Sequence, residues 1–108
     1  MANFNVTIFD SSSAGGNTGQ WFSIGDAQPD ISLNTIGLEA GATLTVSMSN
    51  SPTTPIMVGE PSAAILTTIN GGSPSITPIS CNAAWIQVVK IPGPSPATTT
   101  VYLFGHNG

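Results

Sequence analysis

Few residues of this chain could act as a catalytic nucleophile or base. The 108 residues include one cysteine and one histidine, Cys81 and His106. Cys81 would need an adjacent base to become a reactive thiolate, and His106 stands in a C-terminal tail that we predict to be frayed. Serines are frequent, but none lies in the Gly-x-Ser-x-Gly turn of a serine hydrolase. The pattern favours a buried thiol and a solvated imidazole, and it predicts that the protein is not an enzyme.

The acidic residues do not form a recognisable metal or acid–base site. Asp26 and Asp30 flank a Gln-Pro turn, and Asp10 opens a serine-rich loop. At such positions Asp commonly accepts hydrogen bonds from the backbone of the turn. A calcium loop would alternate acidic residues, a zinc site would need further cysteines or histidines, and the glycines of residues 15–19 lack the lysine of a phosphate-binding loop. We therefore expect no metal and no cofactor.

Positive charge is almost missing. Lys90 is the single Lys or Arg against five Asp and Glu, and charged residues make up 6% of the chain, compared with about 25% in an average soluble domain. Binding to phosphate backbones or anionic lipid depends on several cationic side chains, so we expect neither nucleic acid nor a membrane as a partner. Low charge also favours association between proteins. The alternative is a monomer kept soluble by its hydroxyl groups and its net charge of −4.

Targeting signals are not expected. The first six residues lack a basic segment followed by a long apolar one, so they do not resemble a signal peptide. No apolar run approaches the length of a membrane span. We expect synthesis in a cytoplasm.

Gly, Pro and Asn punctuate the chain at intervals typical of short antiparallel strands. Hydrophobic residues make up 40% of it, enough for one core, and we predict a single domain over residues 1–108. The predicted fold class is all-β, a β-sandwich or jelly roll of about eight short antiparallel strands, with a small closed barrel as the alternative. The predicted strands are residues 4–9, 20–24, 31–36, 43–49, 56–58, 63–69, 75–79, 85–91 and 98–105.

Two features predict where strands lie within the sheets. Residues 43–49 alternate apolar side chains with hydroxyls, a pattern typical of a sheet with one solvated face. Pro78 confines residues 75–79 to a sheet edge or a bulge, because proline has no backbone N–H.

The last third of the chain predicts the central strands. Residues 85–91 and 98–105 are rich in β-branched and aromatic residues, with apolar side chains on both faces. One face of these strands should be the core. The other, which we predict to carry Ile86, Val88, Tyr102 and Phe104, is too apolar for free solvent, so another layer or a partner subunit should cover it.

Three aromatic residues allow two interpretations. Trp21, Trp85 and Tyr102 could stack on sugars, as aromatic side chains do in many β-sandwich binding modules. Each also lies within an apolar, strand-like run, which favours core packing, since Trp is highly buried on average.

Four stretches of the chain together resemble a known group of proteins. A serine- and glycine-rich loop leads into Gly19-Gln20-Trp21, and residues 41–47 read Gly-Ala-Thr-Leu-Thr-Val-Ser. Residues 85–88 read Trp-Ile-Gln-Val, and residues 99–105 read Thr-Thr-Val-Tyr-Leu-Phe-Gly. In this pattern the chain resembles small β-sandwich virion proteins of tailed bacteriophages, in particular capsid decoration (cement) proteins.

The resemblance implies a structural protein that binds the outer surface of an assembled capsid and stabilises it. Its partner would be the major capsid protein, and it would be a homo-oligomer, a dimer or trimer, in the virion after synthesis in the host cytoplasm. A strand edge could add to a partner's sheet; the candidate is residues 4–9, with Phe4, Val6 and Ile8 on one face, unless this strand pairs within its own sheet. The alternative function is a carbohydrate- or receptor-binding β-sandwich module of a phage tail or fibre.

Overall fold

The computed structural model describes residues 2–11, 17–24, 30–56, 59–72 and 75–107, with the side chains of residues 2–4, 106 and 107 left out. Within these ranges the chain forms eight strands and no helix. The strands are β1 (Ala2–Asp10), β2 (Phe22–Ser23), β3 (Asp30–Ile36), β4 (Thr43–Ser49), β5 (Ala64–Asn70), β6 (Ser75–Ser80), β7 (Trp85–Ile91) and β8 (Thr100–Asn107).

The strands build two four-stranded antiparallel sheets. The first sheet has the order β1-β8-β3-β6 and the second sheet has the order β2-β7-β4-β5. Strand β1 therefore pairs with β8, β2 with β7, β3 with β6 and β4 with β5. These are the pairings of one long antiparallel hairpin that is folded over into two layers. This arrangement is the jelly-roll form of the β-sandwich, so the predicted fold class is confirmed.

The core lies between the sheets, because side-chain alternation turns one face of each sheet inward. Leu33 and Leu103 of the first sheet, and Leu44 and Val46 of the second, have no exposed surface. Burying an aliphatic side chain of this size stabilises a fold by about 1.5–3 kcal/mol. Apolar contact between the layers therefore holds the sandwich together. The one cysteine, Cys81, is buried and forms no disulfide.

Both strands predicted to be central are inner strands of their sheets. Strand β7 lies between β2 and β4, and β8 lies between β1 and β3. The strand that contains Pro78, β6, is at the edge of the first sheet, as the missing N–H of proline predicts. The placement of these strands was therefore readable from residue type.

The prediction that Ile86 and Val88 share an outer face with Tyr102 and Phe104 is wrong. Ile86 and Val88 are 0% exposed and belong to the core. Strands β7 and β8 lie in different sheets. Ile86 and Val88 face inward from the second sheet, whereas Tyr102 and Phe104 face outward from the first. Alternation identifies residues that share a face, but it does not say which face is inward when both are apolar.

The N-terminal strand joins its own sheet. Strand β1 pairs antiparallel with β8 from Ala2 to Asp10, and its register shifts at Ile8. Such a β-bulge adds one residue to a strand and changes the direction of its side chains. Ile8 and Phe9 consequently both enter the core, and Val6 packs against it. Ile8 is thus a core residue rather than a surface contact, while the side chain of Phe4 lies outside the described residues.

Two predicted strands differ from those observed. In place of a strand over residues 20–24, only Phe22 and Ser23 pair regularly with β7, because the register shifts by one residue between Thr18 and Phe22. Such a shift interrupts a ladder. Of the strand predicted at residues 56–58, Ile56 is not in a strand, and the other two residues lie outside the described ranges.

The C-terminal end is longer than predicted. Residues 105–108 were expected to fray, but β8 continues to Asn107, whose backbone lies opposite Ala2. The paired strand provides backbone partners that a free tail would lack.

Candidate interaction surface

The outer face of the first sheet carries two rows of side chains that cross all four strands. These positions point outward because they alternate along β3 and β8 with the core residues Leu33 and Leu103. In the strand order β1-β8-β3-β6, one row is Asn5, Phe104, Ser32 and Pro78, and the next is Thr7, Tyr102, Asn34 and Ile76. We call these eight residues the outer face of the first sheet.

This outer face combines apolar and neutral polar side chains. Ile76 is 70% exposed, Phe104 is 37% exposed and Tyr102 is half-buried. The carboxylates nearest in register, Asp10 and Asp30, stand at strand ends beyond the two rows. An exposed apolar patch with a polar surround is typical of an interaction site. Two of the predicted contact candidates, Tyr102 and Phe104, therefore lie where a partner could reach them.

The two tryptophans hold the connection between β4 and β5. Trp21 Nε1 donates a hydrogen bond to Ile56 O at 2.7 Å, and Trp85 Nε1 donates to Ser51 O at 3.1 Å. Trp21 is buried and Trp85 half-buried. Trp85 precedes the inward-facing Ile86 and so points outward from the second sheet. The connection is thus held against that sheet, and both indole N–H groups already have acceptors.

Lys90 points into one end of the sandwich. Its Nζ donates to Ala97 O at 2.7 Å and to Thr99 Oγ1 at 2.9 Å, and it lies 2.7 Å from Glu39 Oε1. These three acceptors match the three donors of an ammonium group. Gly93 N donates to the other carboxylate oxygen of Glu39 at 3.0 Å. The ion pair therefore joins the β3–β4 turn to the β7–β8 connection.

Thr99 extends this polar network to β1. Its Oγ1 donates to Gly37 O at 3.1 Å, its backbone N donates to Ser11 Oγ at 2.8 Å, and Ser11 N donates to Thr99 O at 3.0 Å. Gly37 has a φ of 80°, and a side-chain carbon placed there would fall 2.3 Å from Thr98 O. Only glycine fits both the left-handed backbone and this close approach.

The hydrogen bond from Lys90 is the main cause that lowers the pKa of Glu39 from 4.5 to about 2. Burial of the carboxyl group acts in the opposite direction, and backbone hydrogen bonds, including that from Gly93 N, lower the pKa further. Glu39 is therefore ionised at neutral pH. The pairing of Glu39 with Lys90 was not predicted from the sequence. The sequence contained one indication of a buried partner for Lys90. Lys90 follows Ile86 and Val88 at alternate positions of one strand, so its side chain should point inward as theirs do.

An open cleft of about 310 Å³ lies beside this network. Its lining includes Ser11, Asn17, Pro92, Thr98 and Lys90. All three N–H groups of Lys90 already have acceptors, so its charge is not available to a ligand. The cleft offers hydroxyls, an amide and proline rings, which do not form a recognisable anion or nucleotide site.

The structure describes only some of the candidate catalytic residues. Cys81 is buried, while the side chain of His106 and all of Asp26 lie outside that part. No group of three or more His, Cys, Asp or Glu is placed to hold a metal there. The same residues include no helix that is long and apolar enough to span a membrane. That the protein is not an enzyme, and takes no metal or cofactor, stays a prediction.

Comparisons with protein-family models, with curated proteins and with solved structures find no match. The resemblance to capsid decoration proteins stays a prediction from the sequence pattern.

Proposed function

We propose that this chain is a structural virion protein that binds the outer surface of an assembled phage capsid and stabilises it. The outer face of the first sheet would be the docking surface. One observation carries the proposal: Tyr102, Phe104 and Ile76 form an uncharged, partly apolar centre across the strands, with Asn, Ser and Thr around them. An apolar centre with a polar surround is the usual composition of a protein-binding surface.

The charge distribution supports a protein partner. The only Lys or Arg of the chain, Lys90, is used inside the fold, so a partner would be held through apolar contact and neutral hydrogen bonds. A ligand that binds the assembled shell but not free subunits shifts the assembly equilibrium toward the shell. The jelly roll itself does not discriminate among functions, since it occurs in viral capsid proteins and in lectins.

The proposal is tested with empty shells assembled from the major capsid protein encoded in the same genome. We expect the purified chain to co-sediment with shells but not with free capsid subunits, and to raise the temperature at which shells dissociate. The double variant Ile76→Ser/Phe104→Ser should bind about 30-fold more weakly, because residues at the centre of an interface are those whose truncation costs about 1 kcal/mol or more each, about 2 kcal/mol for the two.

The matched control is Ile91→Ser, which changes an exposed isoleucine, 58%, at the end of β7 in the second sheet. It should leave shell binding unchanged. Absence of binding to shells, or equal weakening by the control, would overturn the proposal.

A second candidate is carbohydrate binding at the same face. Tyr102 and Phe104 stand in adjacent rows, next to the amide side chains of Asn34 and Asn5, and sugars are often held by aromatic faces together with amides. A glycan array separates the candidates. Binding to a defined glycan that Tyr102→Ala abolishes would favour the carbohydrate-binding module, whereas shell binding without glycan binding would favour the decoration protein.

A further inference from the structure

We propose that β5 is a self-association edge, through which two copies of this chain join their second sheets by antiparallel pairing of β5 with β5. The proposal concerns the chain alone and does not depend on binding to a capsid. It follows from a comparison of the four strands that stand at the edges of the two sheets, β1, β6, β2 and β5.

Three of these edges are protected from pairing with another strand. Strand β6 carries Pro78, which has no N–H to donate, and β2 has only two residues. Strand β1 is bulged at Ile8 and is flanked by the chain at Gly19. A side-chain carbon at Gly19 would fall 3.1 Å from Ile8 O and 2.6 Å from Val88 O, so Gly19 lies between β1 and β7. Proline, shortness, bulges and covering segments are the usual devices that block edge pairing.

Strand β5 is the edge that these devices block least. It is seven residues long, Ala-Ile-Leu-Thr-Thr-Ile-Asn, with no proline and no charge. Among the described residues its backbone pairs only with β4. Its one irregularity lies next to Leu66 and leaves residues 67–70 in regular register with β4. A long, uncharged edge of high β propensity is a ready template for a further strand.

The chemistry of this edge fits a second copy of the same chain. A two-fold axis beside Thr68 would place Thr68 opposite Thr68 on the outer face, and Thr67 opposite Ile69 on the inner face. Cross-strand pairs of Thr and β-branched residues stabilise antiparallel sheets. Symmetric pairing places like groups together, and β5 has no charge to repel its copy. The nearest acidic residue in sequence, Glu60, precedes the strand and accepts a hydrogen bond from Ile56 N.

The expected dimer is weak. Pairing along one edge buries less than the about 800 Å² per partner of a standard stable interface. We therefore expect a dissociation constant on the order of 10–100 μM, the range of small transient contacts. Such a contact would become effective where many copies are held on one surface, because tethering raises the local concentration.

Sedimentation equilibrium between about 1 and 500 μM, a range that brackets such a constant, tests the proposal. The average mass of the wild-type chain should rise with concentration from 10.9 kDa toward that of a dimer. Thr68→Lys would place two ammonium groups opposite each other and should weaken the dimer about tenfold or more. Because Thr68 is exposed, a lysine there can extend into solvent. Circular dichroism should therefore show that the Thr68→Lys variant keeps the native fold.

The matched control is Ile76→Lys, which adds the same charge at an exposed position on β6 of the first sheet. It should self-associate like the wild type. Hydrogen exchange of the wild type supplies a test without substitution, because backbone amides of β5 should become more protected as the concentration rises. A wild-type chain that stays monomeric up to the highest concentration, or equal dimers in Thr68→Lys, would overturn the proposal.

The two proposals can fail separately. Ile76→Lys should impair binding to capsid shells and leave self-association intact. Thr68→Lys should weaken self-association and leave the binding of single copies to shells intact, measured at low occupancy of the shell. If Ile76→Lys instead abolishes self-association, copies pair through the outer face of the first sheet and the β5 assignment is overturned.

Discussion

Lys90 Nζ lies 2.7 Å from Glu39 Oε1, with only 2% of the Lys90 side chain and 9% of the Glu39 side chain exposed. Charges withdrawn from water are tolerated when they are paired and hydrogen-bonded. This pair meets both conditions, because Ala97 O and Thr99 Oγ1 accept the remaining protons of Lys90. The one cation among the side chains is thus structural rather than a site for an anionic ligand.

Removing Lys90 alone should destabilise the fold more than removing the pair. Lys90→Met leaves the Glu39 carboxylate withdrawn from water without its cation, whereas Lys90→Met/Glu39→Leu leaves no charge behind. We expect the urea midpoint of the single variant to fall well below that of the double variant at pH 7. Equal midpoints for the two variants would contradict the structural role of the pair.

Stability should decrease in acid, in part through Glu39. Its pKa is lowered from 4.5 to about 2 in the fold, so its stabilising contribution is complete above the unfolded value and is lost as the pH falls from 4.5 through about 2. Urea titrations should show that the free energy of unfolding falls less between pH 6 and pH 2.5 in Glu39→Gln than in the wild type.

The control is Asp30→Asn, at an exposed carboxylate on β3. Its free energy of unfolding should fall between pH 6 and pH 2.5 by nearly as much as that of the wild type. Some pH dependence should remain in Glu39→Gln, because a hydrogen bond from Ile56 N also lowers the pKa of Glu60. A Glu39→Gln variant with the full wild-type difference would show that Glu39 is not held by Lys90 in solution.

The burial of Ile86 predicts a large effect of truncation. Ile86→Ala should lower the free energy of unfolding by about 2–5 kcal/mol, the usual effect of a cavity at a fully buried aliphatic position. Ile91→Ala, on the same strand at a residue that is 58% exposed, should change it by less than about 0.5 kcal/mol. Equal effects in denaturant titrations would contradict the inward placement of Ile86.

One buried hydroxyl offers a stabilising substitution. Thr35 is fully buried, and its Oγ1 has no hydrogen-bond partner among the described residues. Thr35→Val keeps the shape of the side chain and removes the unsatisfied polar atom. We expect the free energy of unfolding to rise by about 1–2 kcal/mol, measured by urea titration. A loss of stability would indicate that the hydroxyl has a partner in solution. Thr68→Val, at an exposed position, is the matched control and should have little effect.

Much of the fold could be predicted from local sequence. The strands at residues 43–49 and 85–91 match β4 and β7 in full, because runs of alternating or β-branched residues have few other stable conformations. Pro78 located an edge strand through its missing N–H. Strand ends were less accurate, since the bulge at Ile8 and the interrupted pairing before Phe22 depend on partners elsewhere in the chain.

The candidate surface was only half predictable. Tyr102 and Phe104 were expected on an apolar outer face and lie there, but Ile86 and Val88, assigned to the same face, are in the core. The rest of this surface comes from strands that are far apart in sequence. The register between the strands brings four of these residues into the two rows, Ile76, Pro78, Asn34 and Asn5. No local pattern contains that register.

By itself the sequence determined an all-β sandwich of neutral polar and apolar residues with almost no cationic surface, because composition and strand periodicity are properties of each short segment. Only the tertiary structure decided which faces are inward, which strands stand at the sheet edges and which carboxylate pairs with the single lysine. These outcomes depend on contacts between residues as far apart as Glu39 and Lys90. Alternation has a period of two along one strand, and it carries no information about the strand on the other side of the core.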